Sequence, residues 1–439
     1  MKTLHMPFCF HPDPVGGTEV YVEGLCRRLI ERGVEAVVAA PAADTAEYDH
    51  RGLRVRRFKI SKRLDLNGVY SEGDTLAAES FRELLHCEKP HVAHFHALTP
   101  AISLRLLREA TRAGIPTVFT YHTPMATCAR GTLLQWGAVV CDGFLDARLC
   151  AGCSLHGLGL PRPAARLVAS APAEWNEAFS KVGLAGGVCT ALRMHGLVTA
   201  RHALLRCFFQ EVDHIVAVCE WVRALLLRNG VRPEKILLSR HGVSEGTGRE
   251  RPPKAAATGS LRIAFLGRVD RVKGVHVLLN ALRRVPRAPV RLDIYGTVQG
   301  NSGERYARFL RDSAKGDPRI AFHDPVPPEE TVSLLARYDV LAVPSQWLET
   351  GPLVVLEAFA AGTPVIGSDL GGIAELVTDN VNGVLVKADS TAAWSAAILD
   401  LSEKKERLEA LRSRIVFPRT MNEVADEMAR LYGQMRRCG

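Results

Sequence analysis

The chain reads as an α/β protein of two doubly wound domains, and three observations carry that reading. Short β-rich apolar runs alternate throughout with segments of helical period, the pattern of parallel sheets whose connections are helices. The alternation is interrupted by GTGRERPPKAAATGS, residues 246–260, which is polar, aperiodic and rich in Pro, Gly and Ala, and so reads as a linker. The length of 439 residues, at roughly 150 per domain, calls for two or three cores.

In the first domain, residues 1–245, strands are expected near Lys2 to Met6, Ala36 to Ala40, Val92 to His96, Thr117 to Tyr121 and His214 to Val218. Thr18 to Arg32 is a helix between two of them: Val20, Leu25, Leu29 and Ile30 fall near one face, Thr18 can cap the start and Gly33 ends it. Residues 124–210 fit no strand–helix alternation. They hold 8 basic and 4 acidic side chains around an Ala, Gly and Pro-rich middle, and read as an insertion.

The second domain, 261–419, contains six strand-like runs, LRIAFLG, VRLDIYG, RIAFH, DVLAVP, TPVIG and NGVLV, with helices between. In the last segment, 420–439, Asn422 to Met435 forms an amphipathic helix striped by Val424, Met428, Leu431 and Tyr432.

Composition narrows the class. With 47% hydrophobic and 23% charged residues the chain is neither disordered nor fibrous. The longest uncharged stretch, Ala113 to Ala129, is 17 residues and contains Pro116, His122 and Pro124, whereas a bilayer span takes roughly 20 apolar residues. The N-terminus MKTLHMPFCF lacks a secretory signal's apolar core and cleavage site, so a cytosolic protein is expected. In that reducing compartment eleven cysteines argue against a disulfide framework. The net charge of +9 comes from 56 basic residues interleaved with 47 acidic ones. It suits a polyanionic small substrate, an anionic acceptor or peripheral contact with the inner face of a membrane, and no nucleic-acid partner is expected.

No GxGxxG follows a strand and no GxxxxGK[ST] occurs, so dinucleotide redox chemistry and P-loop phosphoryl transfer lack support. The candidate sites lie at strand ends instead. Glu349-Thr-Gly-Pro-Leu-Val-Val-Leu-Glu357 follows a strand and opens a helix, with Pro352 in its first turn. The free amides of Leu353 and Val354 then suit an anion such as phosphate, and Glu349 and Glu357 can accept sugar hydroxyls beside it.

Gly267-Arg-Val-Asp-Arg-Val-Lys-Gly274 brings Arg268 and Lys273 beyond the first strand of its domain, where preorganised cations stabilise a leaving group's charge. Between the first strand and its helix, Gly16 and Gly17 let a ligand approach the backbone. His122 ends one strand, and His94 and His96 end another; such histidines are more often structural than catalytic.

Cys128, Cys141, Cys150 and Cys153 are spaced C-x12-C-x8-C-x2-C, the ligand count of a closed tetrahedral zinc site. Zinc would order a segment poor in large apolar residues. An iron–sulfur cluster takes the same four thiolates and is the second reading; unrelated free or disulfide-bonded cysteines are the third.

Taken together, Glu349 and Glu357, the GRVDRVKG loop, Gly16-Gly17, His122 and the run EAFAAGTPVIGSDLGGIAELV resemble a retaining glycosyltransferase of family 4 with the GT-B fold. The resemblance covers nearly the whole chain, most strongly Leu261 to Val386. It implies two Rossmann-like domains facing across a cleft that holds a nucleoside-diphosphate sugar, UDP or GDP being the expected nucleotides, and a last helix that returns to the first domain. Arg268, Lys273 and the amides of Leu353 and Val354 would hold the diphosphate, Glu357 the ribose and Glu349 the transferred sugar. His122 and Gly16-Gly17 would close the site.

No catalytic metal is implied, because cations and a helix terminus take its place. A glycan, a lipid-linked intermediate or a small molecule would be the acceptor, and the cysteine segment would border its side. A GT-B epimerase or hydrolase of sugar nucleotides, or a sugar-nucleotide-binding protein without turnover, are the alternatives. The chain departs from the family pattern in three places. Cys219 replaces a common serine, and Arg240-His241-Gly242-Val243 replaces Asn-Gly-Val, neither expected to touch the donor motifs. Thr123 follows His122 in place of an aspartate, which leaves the histidine's partner unassigned.

Overall fold

A computed structural model describes residues 1–13, 16–181, 186–244 and 259–438. The expected linker, apart from residues 259 and 260, and the Pro14–Val15 start of the glycine loop lie outside the described residues. The chain divides into two units, Met1–Arg240 with Val424–Gly439, and His241–Glu423.

Eight strands form the main sheet of the first unit: β1 (Lys2–Met6), β2 (Glu35–Ala42), β3 (Ala46–His50), β4 (Leu53–Lys59), β5 (Val92–Phe95), β6 (Thr117–Tyr121), β9 (His214–Ala217) and β10 (Ile236–Leu238). Their order is β10-β9-β6-β5-β1-β2-β4-β3, and every pairing is parallel except β3 with β4. Four of the central strands, β1, β5, β6 and β9, are buried on both faces almost end to end, as helix-covered parallel strands are.

The sequence reading missed β3, β4 and β10. β4 alternates buried Leu53 and Val55 with exposed Arg54, a period-2 signal masked by its three arginines, while polar β3 is an edge strand.

The first helix is Gly17–Ile30, and its buried face shares only Leu25 and Leu29 with the one predicted. Gly16 rather than Thr18 is the N-cap, and Glu19 reaches back to accept the Gly16 N–H at 2.8 Å. Tyr21, Val22 and Cys26 enter the core beside Leu25 and Leu29, while Ile30 stays exposed. At about 100° per residue, a small error in phase exchanges neighbours between faces.

Residues 124–210 contain a two-stranded ribbon, β7 (Leu134–Gln135) with β8 (Val139–Val140), then helices Ala147–Gly157, Arg162–Val168, Trp175–Lys181 and most of Gly187–Glu211. The last helix, Met421–Cys438, buries Val424, Met428, Leu431 and Tyr432. Its Tyr432 hydroxyl lies 2.6 Å from His94 Nδ1 in the first unit's core.

The second unit has six parallel strands, β11 (Leu261–Leu266), β12 (Val290–Tyr295), β13 (Ile320–His323), β14 (Val340–Val343), β15 (Val365–Ser368) and β16 (Gly383–Val386), in the order β13-β12-β11-β14-β15-β16. All six expected runs are strands. The order reverses direction between β11 and β14, and in the first sheet between β1 and β5; loops leaving the carboxyl ends of such pairs line the crevice where open α/β sheets bind ligands. No described helix is long and apolar enough to cross a membrane.

Candidate active site

The loops after β11 and β14 carry the second unit's charged groups. After β11, Asp270 accepts the Val272 N–H and shapes a short 3-10 turn, Arg271–Lys273. Gly274 ends it at φ +76°, in the left-handed region, where an added Cβ would sit 1.9 Å from the Pro344 carbonyl. Gln346 N–H donates to the Val272 carbonyl at 2.7 Å, tying the two loops together.

This knit sets Lys273 Nζ 2.6 Å from Glu349 Oε1. The same oxygen accepts from Ser345 Oγ at 2.7 Å and Trp347 Nε1 at 2.8 Å, and Lys273 lies 5.6 Å from the centre of the Trp347 ring. Burial alone would raise the Glu349 carboxyl, but Lys273 and the hydroxyl and indole donors outweigh it and hold it below its ordinary value. Gly372 N–H donates to the Glu349 carbonyl at 2.6 Å, an approach that a Cβ would obstruct.

Glu357 has the opposite environment. It lies on the helix Leu353–Ala360, half-buried, and burial pushes its carboxyl up to about 7. Pro352 is the N-cap rather than the first helical residue, so the amides of Leu353 and Val354 open the helix and Val355 makes the first return bond, to Pro352. Arg268 is exposed on its loop and makes no ion pair with any described residue. His241 does touch the Glu349–Glu357 segment, contrary to the sequence reading: its Nδ1 lies 2.8 Å from the Gly351 carbonyl. The motif loop folds back onto a segment over a hundred positions earlier in the chain, which no local pattern reveals.

In the first unit, Gly16 and Gly17 form the N-cap and first residue of their helix. His122 is buried, with Nε2 3.0 Å from His96 Nδ1 and its ring 4.8 Å from that of Tyr21. Where Thr123 left the histidine's partner unassigned, His96 is one partner.

The four cysteines are free thiols borne by three structures: Cys128 before β7, Cys141 after β8, and Cys150 and Cys153 on the helix Ala147–Gly157. Cys153 Sγ accepts the Trp136 N–H at 3.2 Å, and Cys141 Sγ the Gly143 N–H at 3.5 Å. Burial pushes the Cys150 thiol up to about 12, with further contributions from Cys141, Cys128 and Cys153 nearby. Among the described residues, the groups of three with ligand atoms within 4.8 Å of one another are His5, His94 and His96, and His11, Glu23 and His50; no trio of the four sulfurs meets that spacing.

Residues 16–242, more than half of the chain, match the model of the Glycosyl transferase 4-like domain, and 247–415 match Glycosyl transferases group 1. This protein belongs to glycosyltransferase family 4. Among curated proteins, it is similar to the D-inositol 3-phosphate glycosyltransferases of Nocardia farcinica (36% identity, covering 36% of this chain and 37% of that protein) and Corynebacterium urealyticum (40% identity, 33% and 36%). The matched stretch thus spans little over a third of either relative's length.

Two solved structures share the GT-B fold across the chain. Sucrose-phosphate synthase from Thermosynechococcus elongatus superposes with a TM-score of 0.69 at 18% identity, covering 100% of both chains. Anabaena HepE in complex with UDP and glucose gives 0.65 at 16% identity, covering 99% of both.

For this glycosyltransferase, sequence reasoning found Lys273 and Glu349 but not the groups that place them. Ser345, Trp347, Gln346 and Gly372 all act through short tertiary contacts. Their nearness to Glu349 in the chain, or the GG pair in the run quoted above, was the available signal.

Proposed function

We propose that this family 4 enzyme transfers a sugar from a nucleoside-diphosphate sugar to an acceptor hydroxyl with retention of anomeric configuration. The observation that carries the reading is the Lys273–Glu349 pair beyond the ends of β11 and β14, at the topological switch. Lys273 and Arg268 stabilise the leaving diphosphate together with the Leu353 and Val354 amides. Ionised Glu349 accepts hydroxyls of the transferred sugar, and Glu357 accepts the ribose hydroxyls. The bond from anomeric carbon to phosphate oxygen breaks, the acceptor oxygen bonds to the same face, and the acceptor proton passes to the leaving phosphate. Two cations and a helix terminus supply the charge stabilisation that a catalytic metal would supply.

The complexes of HepE with UDP and with UDP-glucose support a UDP donor, with GDP the alternative. The names of the curated relatives add an inositol phosphate to the glycan, lipid-linked and small-molecule acceptors to be tested. The test incubates the protein with UDP, GDP, ADP and dTDP sugars, following binding, nucleotide release and the anomeric configuration of the product, with and without EDTA. Binding of one donor, retention and insensitivity to EDTA are expected. Absence of donor binding, or binding unchanged by Arg268→Ala and Lys273→Ala, defeats the reading.

We also propose that Cys128, Cys141, Cys150 and Cys153 hold a structural zinc ion. Four soft ligands suit tetrahedral zinc, with Cys150 and Cys153 one helical turn apart and backbone N–H groups already aimed at two of the sulfurs. Drawing the sulfurs together would clamp the β7–β8 ribbon to its helix. An iron–sulfur cluster is the outcome that elemental analysis would distinguish.

A further inference from the structure

The two trios with the spacing of metal ligands differ in what their nitrogens already do. In His5, His94 and His96 all six ring nitrogens have hydrogen-bond partners, His94 using the Tyr432 and Thr120 hydroxyls. His11, Glu23 and His50 are not satisfied in this way. His11 lies in the turn after β1, Glu23 on the first helix and His50 at the end of the edge strand β3, all within the first unit.

Glu23 Oε2 lies 3.3 Å from His11 Nε2 and 3.9 Å from His50 Nε2. The second distance is too long for a hydrogen bond, and His50 Nε2 is buried with no hydrogen-bond partner among the described residues. A buried ring nitrogen left in that state calls for a ligand. The neighbours fix the trio's backbone and orientation. Arg27 Nη2 pairs with the other carboxylate oxygen, Oε1, at 3.1 Å, leaving Oε2 to the histidines. The His11 carbonyl accepts from Arg57 Nη2 at 3.0 Å and from the Tyr48 hydroxyl, which ties its turn to β3 and β4. The buried Phe10 ring stands edge-on to both imidazoles, 5.3 Å from His11 and 5.7 Å from His50.

Zinc bonds of about 2.0–2.2 Å in a tetrahedron separate ligand atoms by about 3.3–3.5 Å. His11 Nε2 and Glu23 Oε2 already have that separation, and His50 has to close on Glu23 from 3.9 Å. The two rings are stacked, with centroids 4.1 Å apart and planes 9° apart. Nitrogen lone pairs lie in the ring plane, so coordination also requires the stack to open. Rotation about the Cβ–Cγ bond, a soft torsion in histidine, provides that movement for two partly exposed side chains.

We propose that His11, Glu23 and His50 form an exchangeable zinc site, two imidazoles and a carboxylate with water as the fourth ligand, which clamps the turn after β1 to the first helix and to β3. The site is independent of the four cysteines, and the transfer chemistry proposed above does not pass through it. Opening the stack costs affinity, and so do the cations of Arg27 and Arg51 close to His50. Micromolar binding follows, weak enough for dialysis to empty the site, so the metal that the purified chain retains is not held here.

The test is calorimetric titration of the dialysed full chain with zinc ions. One micromolar equivalent is expected, absent in His11→Ala and in His50→Ala and kept in the double variant Cys150→Ser, Cys153→Ser. Glu23→Gln should weaken it at least about tenfold, since even an outer partner of a zinc ligand is worth that much. Magnesium ions, which prefer oxygen ligands, should not compete. Cobalt(II) bound at this site should show visible d–d bands without thiolate charge transfer, and His50→Ala should remove them. Zinc ions should raise the melting temperature of the native chain more than that of either histidine variant.

The same stoichiometry and affinity in the native chain and both histidine variants overturn the site. Loss of the equivalent in the cysteine variant, with both histidine variants unaffected, assigns the zinc to the cysteines and overturns it as well. Should a histidine variant fail to fold, NMR of the native chain labelled with 15N-histidine decides: zinc ions should move the ring-nitrogen signals of two histidines, and signals that stay in place overturn the site.

Discussion

Lys273 Nζ lies 2.6 Å from Glu349 Oε1, an ion pair joining the loops that leave β11 and β14. The carboxylate is nearly buried and the ammonium about a fifth exposed, so the pair lies between surface and interior in its energetics. Removing one partner of a fully buried pair costs about 3–5 kcal/mol; with solvent screening of the lysine, Lys273→Ala should cost about 1–3 kcal/mol. Glu349→Gln should cost less, because the ammonium it leaves unpaired is the more solvent-exposed partner, and a double-mutant cycle by denaturant unfolding should give coupling above about 0.5 kcal/mol. Glu349 is held below its ordinary value, so the pair's contribution is present above the normal carboxylate range and is lost as pH falls through the folded value. The Lys273→Ala chain should accordingly lose less stability than the native chain on acidification below about pH 4.5.

Glu357 sets a pH dependence of opposite sign. Its folded value near 7 lies above the unfolded one, so its stabilising contribution is present at low pH and is lost as pH rises through 7. Hydroxyl donors bind the ionised form, so donor affinity should rise from pH 6 to pH 8 and fall about tenfold per unit well below the folded value. In Glu357→Gln the affinity should be weaker and nearly flat with pH. Calorimetric titration at three pH values, with proton release in the native chain, checks this.

Gly274→Ala should be far more damaging than an ordinary loop substitution. It meets a positive φ and the Pro344 carbonyl at once, and the relief it needs would separate the two loops. A loss above about 2 kcal/mol is expected, with donor affinity falling in proportion to the displacement of Lys273.

Elemental analysis of the purified protein should find about one zinc per chain, lost in the double variant Cys150→Ser, Cys153→Ser. That variant should melt earlier and use its acceptor less well. Unchanged metal content, melting and acceptor use together would reject the site.

The α/β class was legible because it rests on local periodicity. All six strands of the second unit and the central strands of the first are short apolar runs bounded by turn residues, a pattern visible in any window of ten. β4 escaped because Arg57, buried and hydrogen-bonded to the Phe10 and His11 carbonyls, occupies a core position that a hydrophobicity pattern reserves for an apolar side chain. The face of the first helix escaped because Glu19, a carboxylate, lies in the core to cap Gly16.

Among site residues, Glu349, Glu357, Arg268 and Lys273 could be named from the sequence because each sits at a fixed offset from a strand end or helix start. Their protonation could not. Glu349 and Glu357 are the same residue type eight positions apart, and their opposite shifts arise from Lys273, Ser345 and Trp347 around one and from burial alone around the other.

By itself, then, the sequence determined what depends on neighbours along the chain: strand and helix alternation, the loops at strand ends, the family motifs and the spacing of four cysteines. The tertiary structure decided what depends on neighbours in space. It paired Lys273 with Glu349, brought His241 against Gly351, and aligned Thr3, His5, His96 and His122 in one row from three strands. Hydrogen bonds and charges act over a few ångströms, and only the order of strands in a sheet brings residues 3, 5, 96 and 122 within that reach.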